Sequence, residues 1–213
     1  MNKTKIEYVD FTINPIKGLC KNNCWYCYAK KMYKRFKWDE KIKFDPLAFL
    51  HIPKNPSRIF VGSMHDIFGK WIPHYWIQGI LDVVKNYEEH TFIFLTKNPS
   101  RYKEFVFPQN CWLGTSVENN KNMGRLYDLY LANDGRNKTF VSYEPLLSKM
   151  EDIEYYAPEI TKLDWVIIGG LTPKPVHQNE WVKEIIEDCR LCKIPIFLKD
   201  NLKYPEIIKE WPE

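Results

Sequence analysis

The chain has 213 residues, of which 45% are hydrophobic and 15% aromatic, and a formal net charge of +4. That length fits one domain or at most two, and that much apolar and aromatic content excludes an intrinsically disordered chain. A weakly positive balance leaves nucleic acid or anionic metabolites open as partners and demands neither.

Residues 1–10 are polar and acidic, without the apolar stretch of a secretory leader, and no apolar run approaches membrane-spanning length. The expectation is a cytoplasmic protein with no membrane partner. Its six cysteines should stay reduced, the clustered ones binding metal instead of forming disulfides.

In chain order, the first predicted strand spans 8–13. A loop at about 14–30 follows, containing Gly18-Leu19-Cys20-Lys21-Asn22-Asn23-Cys24-Trp25-Tyr26-Cys27, a C-x3-C-x2-C pattern. Three thiolates so close together can hold three corners of a cubic iron–sulfur cluster and leave the fourth iron open for chemistry. A structural zinc site is the alternative, and it needs a fourth closing ligand. His51 lies in an unrelated segment and Cys111 inside an apolar run. Cys189 and Cys192 form a late C-x2-C without the flanking glycines of a zinc knuckle, so Cys189 reads as core-facing and Cys192 as incidental. Three unrelated buried cysteines fit poorly with such compact spacing beside Gly18 and Asn22-Asn23.

Next comes a basic stretch, Lys30, Lys31, Lys34, Arg35, Lys37, Lys41 and Lys43, interleaved with Tyr28, Tyr33, Phe36 and Trp38. Basic and aromatic residues together can bind nucleic acid. The plainer reading, favoured by the small net charge, is a solvated helix with its aromatics on the core face.

Further strands are predicted at 59–62, 91–96, 111–117, 139–143, 165–169 and 195–199, rich in Val, Ile, Phe and Trp as buried parallel strands are. Between them, Ile77, Ile80, Leu81 and Val84 follow helical spacing, as do Trp181, Ile185 and Cys189 with Val182 and Ile186 beside them. Repeated strand–helix units imply parallel strands joined by right-handed crossovers. The predicted fold is α/β, an incomplete (β/α) barrel (a partial TIM barrel) of six to seven parallel strands, forming a single domain over 1–213. A complete eightfold barrel takes about 250 residues, and an open doubly wound sheet is the main rival. Asn-Pro-Ser-Arg occurs at 55–58, before a strand, and at 98–101, where it should open a short helix; the recurrence reads as coincidence, not an internal repeat.

The predicted strands end in polar residues: Ser63, His65 and Asp66; Thr96, Lys97 and Asn98; Thr115, Ser116 and Glu118; Ser142, Tyr143 and Glu144; Gly169 and Gly170; Lys199 and Asp200. Parallel α/β folds bind ligands at the carboxyl ends of their strands, so these clusters suggest a shared polar pocket. Each also has a plain reading. Glu118 and Glu144 suit helix N-termini, Lys199 could pair with one of them, and Gly169-Gly170 could be a turn that also permits close backbone approach.

Cys20, Cys24 and Cys27, with Tyr26 just before the last, resemble the signature of the radical S-adenosylmethionine superfamily. More narrowly, the chain resembles the phage Gp37/Gp68-type (DUF5131-like) proteins. The shared pieces are Asn14-Pro15 with Gly18, Tyr28-Ala29, Trp112-Leu113-Gly114-Thr115-Ser116-Val117-Glu118, Glu144-Pro145-Leu146-Leu147 and Asp164-Trp165-Val166-Ile167-Ile168-Gly169-Gly170. The chain departs from that group in its shorter first cysteine gap, in Leu171 where an acidic residue is usual, and in Asp200-Asn201-Leu202 after Lys199.

The resemblance implies a [4Fe–4S] cluster on Cys20, Cys24 and Cys27, with S-adenosylmethionine chelating the open iron. An external electron donor would drive sulfonium cleavage to methionine and a 5′-deoxyadenosyl radical, which abstracts hydrogen from a substrate. It implies Tyr26 near the adenine, Ser63 and Asp66 at the amino group, Ser116 and Glu118 at the ribose hydroxyls, and Gly169 and Gly170 beside the adenosine. Lys97, Tyr143, Glu144 and Lys199 would face the substrate. That substrate is unassigned, with a nucleotide or nucleic acid favoured over a peptide. A three-Cys-motif partner protein is associated with the phage-type group. The rival readings are a zinc-stabilised nucleic-acid-binding module and an iron–sulfur electron-transfer protein.

Overall fold

The structure, a computed structural model, describes residues 2–151 and 157–213. The chain divides into two compact units, Met1–Trp112 and Leu113–Glu213.

In the first unit β1 (Asn2–Lys3) lies antiparallel to β2 (Phe11–Ile13). The predicted strand 8–13 keeps only its last three residues, because Tyr8 and Val9 are buried where the chain turns, with the Val9 N–H donating to the Ile6 carbonyl at 3.2 Å. Then come β3 (Ile16–Lys17), α1 (Tyr28–Phe36) and β4 (Lys43–Phe44). β3 and β4 pair antiparallel, a two-residue ladder that closes the base of the long cysteine-bearing excursion. No sequence pattern announced this ladder. After it, β5 (Arg58–Val61) pairs parallel with β2, and β6 (Thr91–Thr96) pairs parallel with β5.

Ile59, Phe60 and Val61 of β5 are all buried, as expected of a strand covered on both faces. Between β5 and β6, α2 (His74–Val84) buries Ile77, Ile80, Leu81 and Val84, the spacing read from the sequence. The second Asn-Pro-Ser-Arg opens a 3-10 turn, Pro99–Glu104, as expected. Its Arg101 is buried and donates to the carbonyls of Gly69 and Ile72 at 2.5 and 2.7 Å, which pins the segment after β5 to the one after β6.

The second unit carries the last four residues of β7 (Cys111–Ser116), whose first two precede the division, so the division falls within a strand and not in a linker. The unit continues with α3 (Gly124–Ala132), β8 (Thr139–Tyr143), α4 (Ala157–Ile160), β9 (Trp165–Ile168), α5 (Asn179–Leu191) and β10 (Ile196–Leu198). β7, β8, β9 and β10 pair parallel in chain order. A Cβ on Gly114 would lie 2.2 Å from the Phe140 ring, so this glycine admits a neighbouring aromatic into the β7–β8 layer. In α5 the buried stripe is Val182, Ile185 and Cys189. Trp181, expected in that stripe, sits one position round the helix and is half-exposed. The chain end covers β10: Leu198 and Glu210 N–H groups donate to Ile208 and Ile196 carbonyls at 2.8 and 2.9 Å, shielding an otherwise open edge.

Among the described residues seven strands run in parallel ladders. Within each unit they pair in chain order, with no reversal of the kind that marks a doubly wound sheet. The fold class is therefore α/β of the incomplete-barrel type.

Candidate functional site

The cysteine loop is built from its glycine outward. Gly18 adopts φ +96°, and a Cβ there would lie 2.4 Å from the Lys41 carbonyl oxygen, so no other residue fits without rearrangement. Its N–H donates to the Tyr33 hydroxyl at 2.8 Å, and its carbonyl accepts from His65 Nδ1 at 3.0 Å. The other ring nitrogen of His65 accepts from Trp71 Nε1 at 2.9 Å, which fixes the neutral Nδ1–H tautomer. Burial holds the His65 pKa below its usual value, against the opposing pull of the Gly18 carbonyl and Asp66.

Cys20, Cys24 and Cys27 follow on this anchored frame, all half-buried and all free thiols. The Cys27 N–H closes a turn on the Cys24 carbonyl at 3.2 Å, and Cys27 is the residue from which α1 starts. Asn23 takes φ +50°, a left-handed conformation that asparagine tolerates. Burial pushes the Cys20 thiol up, while backbone N–H groups of Asp66 and Asn22 directed at its sulfur pull the other way. Among the described residues no three His, Cys, Asp or Glu side chains are gathered closely enough to hold a metal ion. The donor chemistry nonetheless fits a cluster: three thiols free of disulfides share one loop, and amide N–H groups already point at one sulfur, as they do around protein-bound clusters.

Asp66 joins this loop to the strand ends. One carboxylate oxygen accepts from the Phe68 N–H at 3.1 Å and the Thr96 hydroxyl at 2.6 Å. The other accepts from Asn22 Nδ2 at 2.8 Å and the Lys97 N–H at 3.0 Å. Lys97 reaches back to the loop as well, its ammonium donating to the Tyr26 hydroxyl at 3.0 Å. Ser63 donates from its hydroxyl to Asn14 Oδ1 at 3.2 Å and accepts, at its carbonyl, from the Tyr28 hydroxyl at 2.6 Å. Thus Tyr26, Ser63, Asp66 and Lys97 all converge on the cysteine segment.

The second unit holds its own polar set. The Glu118 carboxylate is buried and accepts from Asn122 Nδ2 at 2.8 Å and Arg125 Nη1 at 2.9 Å, while the Ser116 carbonyl takes a further bond from Arg125 at 2.7 Å. Glu144 and Lys199 form a largely buried ion pair, the plain pairing that the sequence allowed. Asn201 brackets Gly170, accepting from its N–H at 3.1 Å and donating to its carbonyl at 2.9 Å. A Cβ on Gly169 would lie 2.9 Å from the Glu144 side chain, so the paired glycines make room for Glu144 and Asn201.

Tyr143 does not join Glu144 and Lys199. It is 2% exposed, and burial, followed by the proximity of Cys189 and Asp188, pushes its phenol pKa up. Tyr143 ends β8 as a buried ring, whereas Glu144 lies just beyond the strand, where its carboxylate meets Lys199. Ser142, which the sequence placed in the same strand-end cluster without a role of its own, is buried in β8. Its hydroxyl is buried with no hydrogen-bond partner among the described residues.

Two open surface cavities, of about 360 and 300 Å³, include none of the expected site residues. No described helix is long and apolar enough to cross a membrane.

The family described as "Protein of unknown function (DUF5131)" matches residues 3–207. Among solved structures, "Spore photoproduct lyase complexed with dinucleoside spore photoproduct" is similar, with a TM-score of 0.58 and 12% identity, covering 90% of this chain and 75% of that one. At that identity the likeness speaks for the fold alone. No curated protein matches the chain.

Proposed function

The chain belongs to the DUF5131 family of proteins of unknown function, and we propose that it is a radical S-adenosylmethionine-type enzyme. The observation that carries this reading is the anchored loop of three disulfide-free, half-buried thiols following the first strand of a parallel ladder. The fold shared with spore photoproduct lyase supports it. Because that structure is a complex with dinucleoside spore photoproduct, the likeness also favours a nucleotide or nucleic acid as substrate.

Cys20, Cys24 and Cys27 would hold a [4Fe–4S] cluster. When bound, that cluster and S-adenosylmethionine, with one electron from an external donor, supply reductive cleavage of the sulfonium and hydrogen-atom abstraction from substrate. The chain's own residues provide the frame. Gly18 and Asp66 fix the loop, the Asn22 and Asp66 amides are directed at the Cys20 sulfur, and Tyr26 is kept in place by Lys97. Ser63 remains the proposed contact of the cofactor's amino group, Ser116 and Glu118 those of the ribose, and Gly169 and Gly170 the points of backbone approach. Lys97, Glu144 and Lys199 are the proposed substrate-facing groups. A three-Cys-motif protein is the proposed partner, and the cytoplasm the proposed location.

The test is anaerobic purification followed by iron, sulfide and zinc analysis and by an S-adenosylmethionine cleavage assay with a chemical reductant. The expected result is about four irons with matching sulfide and release of methionine, both abolished in Cys24→Ala. One zinc without iron, or cleavage retained in Cys24→Ala, rejects the reading.

A further inference from the structure

Residues 28–38 contain five cations, Lys30, Lys31, Lys34, Arg35 and Lys37, and no acidic side chain. The whole chain carries only +4, so everything outside this segment sums to −1. The protein's positive excess is therefore concentrated in α1 and the residue that caps it, about two and a half turns of helix leaving the last cysteine, and the weak overall charge conceals it. All five cations are exposed. Among the described residues none of them pairs with a carboxylate, whereas Lys17 pairs with Asp45 at 3.7 Å and Lys43 with Asp39 at 3.0 Å on the neighbouring β3 and β4. The nearest partner among the five is neutral: Lys30 donates to the Asn23 side chain.

Aromatic rings flank this charge. Phe36 and Trp38 stack with centroids 5.3 Å apart and planes 21° apart, although they are 51% and 43% exposed. The Arg35 guanidinium lies 5.3 Å over the Phe36 ring, and Tyr33 braces Trp38 edge-on at 5.4 Å. At the other end of α1, Trp25 is 69% and Tyr28 52% exposed. The apolar face of α1 is already spent on the protein: Ala29 and Tyr33 are buried, and the Tyr33 hydroxyl holds Gly18. The helix thus offers cations and ring faces but no free apolar stripe for insertion into a bilayer.

We propose that α1 and its flanking aromatics bind single-stranded nucleic acid, the cations taking phosphates and the exposed rings taking bases. Single strands fit because ring stacking requires bases free of a duplex, and each such stack adds affinity that charge alone does not give. Since α1 starts at Cys27, a strand bound here lies beside the cysteine loop. As a route to substrate the proposal rests on the radical-enzyme reading; as a binding surface it does not.

The experiment titrates the full chain, without reductant or S-adenosylmethionine, against fluorescein-labelled single-stranded DNA and RNA of about 15 nucleotides over a range of salt. The triple variant Lys31→Ala/Lys34→Ala/Arg35→Ala should bind at least tenfold more weakly. Its log–log salt slope should fall by about 2, since each single-strand phosphate contact contributes about 0.7. Trp25→Ala/Phe36→Ala should weaken binding by roughly five- to a hundredfold with the slope unchanged, because stacking carries no counterion release. Unchanged thermal midpoints, both rings and cations being exposed, confirm that the variants fold. Unaltered affinity in the triple variant overturns the proposal. So does binding to phosphatidylserine vesicles without binding to the oligonucleotides, or a ring variant indistinguishable from wild type. Oligonucleotide binding by a protein that holds no iron refutes only the radical-enzyme reading, whereas cofactor cleavage without oligonucleotide binding refutes only this surface.

Discussion

Asn22 and Asp66 are joined by a 2.8 Å hydrogen bond that crosses from between the first two cysteines to the turn after β5. Each oxygen of the Asp66 carboxylate already serves two donors, so its lone-pair capacity is filled from within the protein. Expected from the sequence as a contact for a cofactor ammonium, Asp66 instead has the geometry of a positioning residue, one that holds the loop and the β6 end in register.

Asp66→Asn keeps the shape but replaces one acceptor oxygen with a donor, setting it against two of its four partners. The expected outcome is a loss of about 2 kcal/mol of stability in chemical denaturation, together with faster alkylation of Cys20, Cys24 and Cys27 in metal-free protein. Alkylation at the wild-type rate would show that Asn22 holds the loop without help from Asp66.

The Glu144–Lys199 pair is only 23% and 12% exposed at its two side chains. Removing one partner of such a pair leaves the other charge poorly solvated. Lys199→Met alone should therefore cost about 1–3 kcal/mol, and adding Glu144→Gln should recover most of it. Additive losses in the double-mutant cycle would mean the pair contributes nothing as a pair.

The two glycines after β9 should respond unequally to alanine. At Gly170 a Cβ would meet the Asn201 backbone oxygen at 2.5 Å, and backbone cannot step aside, so Gly170→Ala should lose about 1–3 kcal/mol. At Gly169 the Cβ meets the Glu144 side chain at 2.9 Å, which can rotate away. Gly169→Ala should cost less, and it should abolish the coupling between Glu144 and Lys199 in the same cycle. Equal losses at both positions would contradict this account.

The Glu210 carboxylate receives Arg190 Nη1 and Nη2 at 2.8 and 2.7 Å and the Ile196 N–H at 2.9 Å. These donors, Arg190 foremost, hold its folded-state pKa below the usual carboxylate value. A depressed acid contributes stability that is present above its unfolded pKa of about 4.3 and lost as pH falls through the lower folded value. Denaturation between pH 5 and 3 should show this loss, and Glu210→Gln should make the profile shallower there. An identical slope in the variant would remove Glu210 from the acid response.

Much of the site frame was legible in the chain because its signals are local. The C-x3-C-x2-C spacing, the i, i+3, i+4, i+7 stripe of α2 and the buried apolar runs of β5 to β9 each lie within a few residues of sequence. The features that were not legible depend on partners far along the chain or are too short to show a period. Tyr143 was grouped with Glu144 because they adjoin, although Tyr143 closes β8 as a buried ring and Glu144 lies beyond the strand against Lys199. The β3–β4 ladder is two residues long on each side, too short for any period to show.

The sequence by itself determined the parallel α/β class, the three-thiol loop and the concentration of positive charge after it, since composition, spacing and periodicity are properties of neighbours. Only the tertiary structure decided that Asp66 is saturated by donors from three separate segments, that Glu144 faces Lys199 55 residues away, and that the α1 cations are left without carboxylates. Hydrogen bonds and ion pairs have ranges of a few ångströms, so which groups satisfy one another is settled when folding brings distant strand ends together.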